Sequence, residues 1–206
     1  LMAVPFSRTA DGFETQLGVN FLGHFALTGL LADRITDRVV TLSSVAHRMG
    51  RIGIDDLNFE RRRYERWTAY GQSKLACLMF AKELQRRSEA QGWGITSVAA
   101  HPGFSRSQGV YDRLATIPIM GWIVGTFIIP FISQVPEKAS EAILYAATAD
   151  DVTGGGNYGP VGFRELVGPV GVASTADYAE REDIAARLWA VSEDLTGVRQ
   201  DDVMAQ

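Results

Sequence analysis

The sequence predicts an α/β fold in which a parallel sheet is covered by helices on both faces. Three observations carry this. Short apolar runs of strand length occur at "DRVVTLSS" (37–44), at "WGITSVAAHPG" (93–103) and around "NYGPVG" (157–162). Between them lie stretches longer than ten residues with apolar positions at helical spacing. Such alternation gives a parallel sheet whose strands are buried on both sides. Finally, the first two runs close on Ser43-Ser44 and on His101-Pro102-Gly103, at the carboxyl edge where sheets of this kind bind ligands.

Taken in order, the chain first offers a helix over "FETQLGVNFLGHFALTGLLADRI" (13–35), with Thr9 or Asp11 placed to cap it. The strand 37–44 follows, then an arginine- and aspartate-rich loop to about Trp67, whose Arg61, Arg62, Arg63 and Arg66 read as a solvated face. A helix carrying Tyr70 runs to about Ala90, and the second strand ends at His101-Pro102-Gly103. After the apolar segment "IPIMGWIVGTFIIPFI" (117–132) come a helix over 136–149, a glycine-rich turn, the third strand and a last amphipathic helix over 175–197. There is no internal repeat, low-complexity tract or linker, so residues 1–206 read as a single domain.

Composition narrows the function classes. With 46% hydrophobic and 21% charged residues, the chain can bury a sizeable core. The net charge of -4, with basic residues spread out, argues against a nucleic-acid partner or a polybasic membrane anchor. The single cysteine, Cys77, lies in an apolar run, which excludes a disulfide framework and a cysteine-based metal site and suits a reducing cytosol. No secretory signal opens the chain. Segment 117–132, bounded inside by Pro118 and Pro130, falls short of the ~20 residues of a membrane span, so no transmembrane span is expected.

Several motifs fail on context. "GGGNYG" (154–159) satisfies G-x-G-x-x-G, but it follows a helix and precedes Pro160, whereas a phosphate loop follows a strand and opens a helix. "GQSKL" (71–75) lacks the second glycine of a nucleophile elbow and no strand feeds it. His24, His47 and His101 lack zinc-ligand spacing and read as polar surface or supporting residues; no metal is expected. "TAYGQSKLACLMF" (68–80) is different. It sets Tyr70 four positions before Lys74, on one helix face, so a phenol and an ammonium can reach one point. A phenol has a pKa of ~10, and a fixed cation nearby would lower it. The plainer reading is an amphipathic helix with Tyr and Lys at its rim.

Taken together, "VNFLGHF" (19–25), "VVTLSS" (39–44), "YGQSK" (70–74) and "HPG" (101–103), in this order, favour chemistry. Over essentially its whole length the chain resembles the short-chain dehydrogenase/reductases, and within them the branch of retinol dehydrogenases and WW-domain oxidoreductases. The resemblance implies a Rossmann-type doubly wound sheet, of which this chain carries the C-terminal part. It implies Tyr70 as acid/base, Lys74 as its charge partner and ribose ligand, Ser44 as holder of the substrate oxygen, and Asn20 as support for a proton-relay water. Pro102 and Gly103 match the turn beside a nicotinamide, and Ser107 stands where the family often has threonine, with Ser105 the alternative. The implied cofactor is NADP or NAD, leaning to NADP, and the implied reaction interconverts a carbonyl and an alcohol by hydride transfer.

Two departures accompany the match. Twenty-five residues separate Ser44 from Tyr70, an insertion usual in the retinol-dehydrogenase-like branch. The family's glycine-rich phosphate loop and Asn-Asn-Ala-Gly motif do not occur, and "LMAVP" looks like what immediately follows that motif. The apolar segment 117–132 reads as a cover over a small lipophilic substrate, the alternatives being a contact between copies in a homo-oligomer or a membrane-surface contact. The rival to an enzyme is a non-catalytic interaction module that uses half of a dehydrogenase fold and its sheet edge to bind another chain.

Overall fold

The structure is a computed structural model and describes residues 1–105 and 132–199. The first helical stretch comprises α1 (Thr15–Leu17), a π-helical turn (Gly18–Leu22) and α2 (Gly23–Leu30). There follow β1 (Arg38–Leu42), α3 (Arg66–Gln91), β2 (Thr96–Ala100), α4 (Pro136–Thr148), β3 (Asn157–Pro160), β4 (Val170–Val172) and α5 (Glu182–Thr196).

The sheet runs β1-β2-β3-β4. The first three strands are parallel, with Leu42 opposite Ala100 and Ala100 opposite Tyr158, as the strand–helix alternation demands. The fourth, antiparallel to β3, was not expected from sequence; it is a three-residue strand between turns, too short to show a period. Among the described residues β1 pairs only with β2.

Helix starts also differ from expectation. Glu14, rather than Thr9 or Asp11, caps the first helix, its carboxylate accepting from the amides of Gln16 and Leu17. Thr9 is used one turn earlier, its carbonyl and hydroxyl accepting from Gly12 and Phe13 in a tight turn. Helix α3 starts at Arg66, capped by Glu65 bound to the Thr68 amide at 2.7 Å, and ends on Gly92 in the left-handed region. "GGGNYG" is the turn into β3: Gly155 donates to the Ser97 carbonyl and Gly156 to that of Thr153. It opens no helix.

One face of the sheet packs against α3, which in turn meets the first helical stretch and α5; the other face packs against α4. The larger core centres on three rings: Phe25 and Phe80 lie 5.4 Å apart, and each meets Trp189, at 5.3 and 5.7 Å. Helix α3 is consequently buried along most of its length, which explains why its polar residues are engaged rather than solvated.

The insertion between Ser44 and Tyr70 is held by one of these. Gln72, fully buried, donates to the Leu57 carbonyl (3.0 Å) and accepts from the Gly53 amide (3.1 Å) and the Arg62 guanidinium. Arg62 also stacks over Phe59 at 3.9 Å, so it is a pinned residue and not part of a solvated face, unlike its exposed neighbours Arg61 and Arg63. Gln72→Ala would leave a part-buried amide and a buried carbonyl without these partners. Urea denaturation should show a loss of about 1–3 kcal/mol, and hydrogen exchange should accelerate at Gly53 and around Arg62 while amides of β2 stay protected.

Candidate active site

Because β1, β2 and β3 are parallel and in register, the loops that leave them emerge at one edge. The Ser43 amide donates to the Ala100 carbonyl, His101 to Tyr158, and Phe104 to Leu166 in the loop after β3, all at 2.8 Å. Helix α3 is tied to the same edge. The buried Ser43 hydroxyl donates to the Lys74 carbonyl at 2.9 Å, and the Lys74 ammonium donates to the Leu42 carbonyl at 2.9 Å. Gly50 and Gly71, the latter between the candidate Tyr and Lys, let the turn after Ser44 approach α3: a Cβ on Gly50 would stand 2.4 Å from the Gly71 carbonyl oxygen, and one on Gly71 3.0 Å from the Ala46 carbonyl oxygen. The Pro102-Gly103 turn has its own requirement, since Gly103 sits at φ +67° and a Cβ there would meet the Leu166 carbonyl at 2.3 Å.

Ser44, Tyr70, Lys74, Pro102, Gly103 and Ser105 all line one cavity of about 560 Å³. Its remaining wall is largely apolar, with Leu42, Met49, Trp67, Phe104 and Leu166, and the Trp67 ring meets the Tyr70 ring edge-on at 6.2 Å. Ser44 caps the short 3-10 turn Val45–Met49, its hydroxyl oxygen accepting from the Ala46 amide at 3.2 Å. Tyr70 stands on the same cavity wall, near enough for the Ser44 hydroxyl to draw the phenol's pKa down.

Electrostatics depart from the sequence expectation. Burial pushes the Tyr70 phenol above its ordinary value, and the nearby Ser44 hydroxyl pulls it partway back. Lys74 does not lower it in this arrangement, because the ammonium is turned to the Leu42 carbonyl. The phenol is therefore protonated at neutral pH.

Asn20 is not on the cavity wall. Its carboxamide donates to the Ser73 hydroxyl (3.0 Å) and to the Leu1 carbonyl (2.9 Å), and its backbone carbonyl, in the π-helical turn, accepts from the Cys77 thiol at 3.1 Å. Ser107 lies outside the described residues, as does all of segment 117–132 except Ile132. Among the described residues no group of His, Cys, Asp or Glu could hold a metal ion, and no helix is long and apolar enough to cross a membrane.

Two histidines read as surface or supporting residues are wholly buried beneath the site. His47 donates from Nδ1 to the Ser44 carbonyl at 2.7 Å. His101 accepts from the Gly103 amide at 3.3 Å, and its Nε2 faces Glu165 at 3.5 Å, too long for a full hydrogen bond. Glu165 also binds Arg48 and the Ser174 amide. It and Arg164 both take left-handed backbone conformations, φ 59° and 50°, a local geometry no sequence signal announced. Trp67 and Met49, which line the cavity, stand between Ser44 and Tyr70, where a sequence pattern gives no direction to a side chain.

No protein-family model matches the chain. Individual relatives do. Human retinol dehydrogenase 13 is 38% identical across 100% of this chain and 61% of that protein, human retinol dehydrogenase 12 is 41% identical across 97% and 59%, and mouse polyprenol dehydrogenase is 36% identical across 98% and 59%. A crystal structure of an uncharacterized protein from Mycobacterium Paratuberculosis superposes with a TM-score of 0.79 at 43% identity, covering 97% of this chain and 65% of that one. The chain thus spans about three-fifths of the length of the curated relatives it matches. It has the sheet-and-helix architecture of a Rossmann-type protein with its site on the carboxyl edge. The chain belongs to the short-chain dehydrogenase/reductase family, alongside the retinol dehydrogenases.

The buried imidazoles give the fold a pH dependence. Burial pushes His101 down to about 4 from 6.5, and burial lowers His47 as well. A depressed base binds its proton less well folded than unfolded, so the stabilisation is complete above pH 6.5 and is lost as pH falls toward 4. Denaturant titrations across that window should record a loss on the order of 3 kcal/mol. His101→Gln should remove most of this slope, and a slope unchanged by it would place the titration elsewhere.

Proposed function

We propose that this chain carries the acid/base and substrate-holding part of an NAD(P)-dependent oxidoreductase that interconverts a carbonyl and an alcohol on a small lipophilic substrate. The observation that carries the reading is the meeting of Ser44, Tyr70 and Lys74 on the wall of one cavity whose other lining is mostly apolar. The names of the relatives, dehydrogenases of retinol and polyprenol, support it.

A nicotinamide dinucleotide would supply or accept the hydride. The residues present fit its reactive end. The cavity lies within the ~300–1,000 Å³ range of ligand sites, it holds one ammonium, and the Pro102-Gly103 turn presents backbone with no side chain at Gly103. Lys74 would hold the ribose, and Pro102, Gly103 and either Ser105 or Ser107 the nicotinamide side.

In the reducing direction negative charge grows on the substrate oxygen and a donor must meet it. Tyr70 is that donor, for its phenol keeps its proton at neutral pH. Ser44, on the same cavity wall as Tyr70, orients the same oxygen. The proton lost from Tyr70 is replaced by way of a water held beside Lys74. We assign that water's support to Asn20 from the family resemblance; its carboxamide here is bonded to Ser73 and Leu1, off the cavity wall. Alcohol oxidation requires the phenolate, so the same burial that suits Tyr70 to reduction opposes the reverse step until positive charge reaches the ring. Trp67, Met49 and Phe104 would face the apolar part of the substrate.

Tyr70→Phe should lower kcat for carbonyl reduction by ~10²–10⁴-fold, the range for loss of a general acid, while cofactor affinity measured by calorimetry holds. Retention of more than about a hundredth of the rate would rule out the assigned role. In the unaltered protein, reduction should stay flat through neutrality and decline only on the alkaline side of ~10, where a phenol loses its proton. Trp67→Ser should raise KM for long apolar aldehydes more than for short polar ones; equal changes along a chain-length series would argue against the apolar wall as the substrate contact.

A further inference from the structure

Beneath the cavity, His47 sits between two backbone groups that fix its chemistry. Its Nδ1 lies 2.7 Å from the Ser44 carbonyl oxygen, which can only accept, so Nδ1 carries the hydrogen. Its Nε2 lies 3.3 Å from the Ala176 amide, which can only donate, so Nε2 is bare. One neutral tautomer satisfies both contacts. The Ser44 carbonyl also accepts from the His47 amide at 2.9 Å, so both bonds to that oxygen come from one residue. The imidazole is wholly buried, and the charged and titratable groups around it are Arg48 on its own turn, Glu165 from the loop after β3, and His101 at the end of β2. Arg48 is held by Glu165 and the Ser174 hydroxyl, so the turn carrying Ser44 is anchored at two points to the 165–176 region.

We propose that His47 is a positioning residue for the acid/base pair: by gripping the Ser44 carbonyl from below, it sets the direction in which the Ser44 hydroxyl meets Tyr70. The extended backbone of Ser44, φ -160° and ψ 155°, turns its carbonyl toward His47, while its hydroxyl accepts from Ala46 and Ser44 shares the cavity wall with Tyr70. Loss of the Nδ1 donor leaves Ser44 held only by the backbone of the turn. Direct protonation of Nε2 would set two donors face to face at Ala176, and burial holds the ring neutral against it. This proposal rests on the Ser44–Tyr70 pairing of the proposed function, and the test separates the two.

The experiment is NMR of the 206-residue chain, with tyrosine labelled at the ring carbon bearing the hydroxyl and histidine labelled at nitrogen. The Tyr70 resonance reads the hydrogen bond to the phenol at neutral pH, without an activity assay. Ser44→Ala should move it. His47→Gln, whose amide reaches toward Ala176 but not toward Ser44, should move it in the same direction, and the double variant no further than Ser44→Ala alone. His47→Asn, whose amide nitrogen stands where Nδ1 stood, should return it to the wild-type position, and the wild-type nitrogen spectrum should show His47 as the Nδ1-protonated tautomer. A silent His47→Gln beside a responsive Ser44→Ala would overturn the positioning role and leave the proposed function standing. His47→Asn displaced as far as His47→Gln would also overturn it, since bulk and not the donor would then matter. A silent Ser44→Ala would overturn both, because no Ser44–Tyr70 bond would exist to be positioned.

Discussion

A buried hydroxyl with no role in chemistry, that of Ser43, sets the geometry on which the site depends. Its backbone continues the ladder of β1 to the Ala100 carbonyl, while its side chain donates to the Lys74 carbonyl on α3. One residue therefore fixes the end of a strand against the middle of a helix. The Lys74 ammonium returns the connection by donating to Leu42, the residue just before Ser43. Strand end and helix cannot slide past one another without breaking both bonds, and the one made by Ser43 is buried, where an unmade hydrogen bond costs about 1–3 kcal/mol. Ser44 and Tyr70 sit on either side of this joint, and the distance between them follows from it.

The site's electrostatics come from burial more than from charge pairs. Tyr70 is raised, and His47 and His101 are lowered, each chiefly because the ionised form loses water. All three are therefore neutral together at physiological pH. The cations on the wall are the Lys74 ammonium, bonded to the Leu42 carbonyl, the Arg48 guanidinium, engaged by Glu165, and that of Arg164.

Much of this was legible in the sequence because it depends on spacing. The i,i+4 relation of Tyr70 and Lys74, the paired serines at the end of an apolar run and the His-Pro-Gly after the next one are local patterns, and parallel strands bring them to one edge. What could not be read depends on contacts between distant segments. His47 and His101 look like polar residues in loops until β3 and the 165–176 region close over them. Gln72 is an unremarkable helix residue until the insertion folds onto it. The π-helical turn at Gly18–Leu22 keeps the helical period closely enough that no apolar pattern marks it, and β4 exists only through its pairing with β3. The partner that holds the Lys74 ammonium is a case in point: adjacency on a helix face gives proximity to Tyr70, but Leu42, whose carbonyl accepts from the ammonium, is supplied by another element.

The cavity has two kinds of wall. Lys74 and Tyr70 stand on a buried helix and Ser44 at a strand end, each locked to the backbone beneath. Met49 and Trp67, both largely exposed, flank the insertion, and Leu166 belongs to the loop after β3. An exchange at Met49 or Trp67 disturbs no buried hydrogen bond, whereas an exchange at Ser43, Gly71 or Gly103 disrupts the frame. The shape and polarity of the cavity can therefore change by exchanges in its loops while Ser44, Tyr70 and Lys74 keep their places, so the fold separates what is free to vary from what must stay fixed.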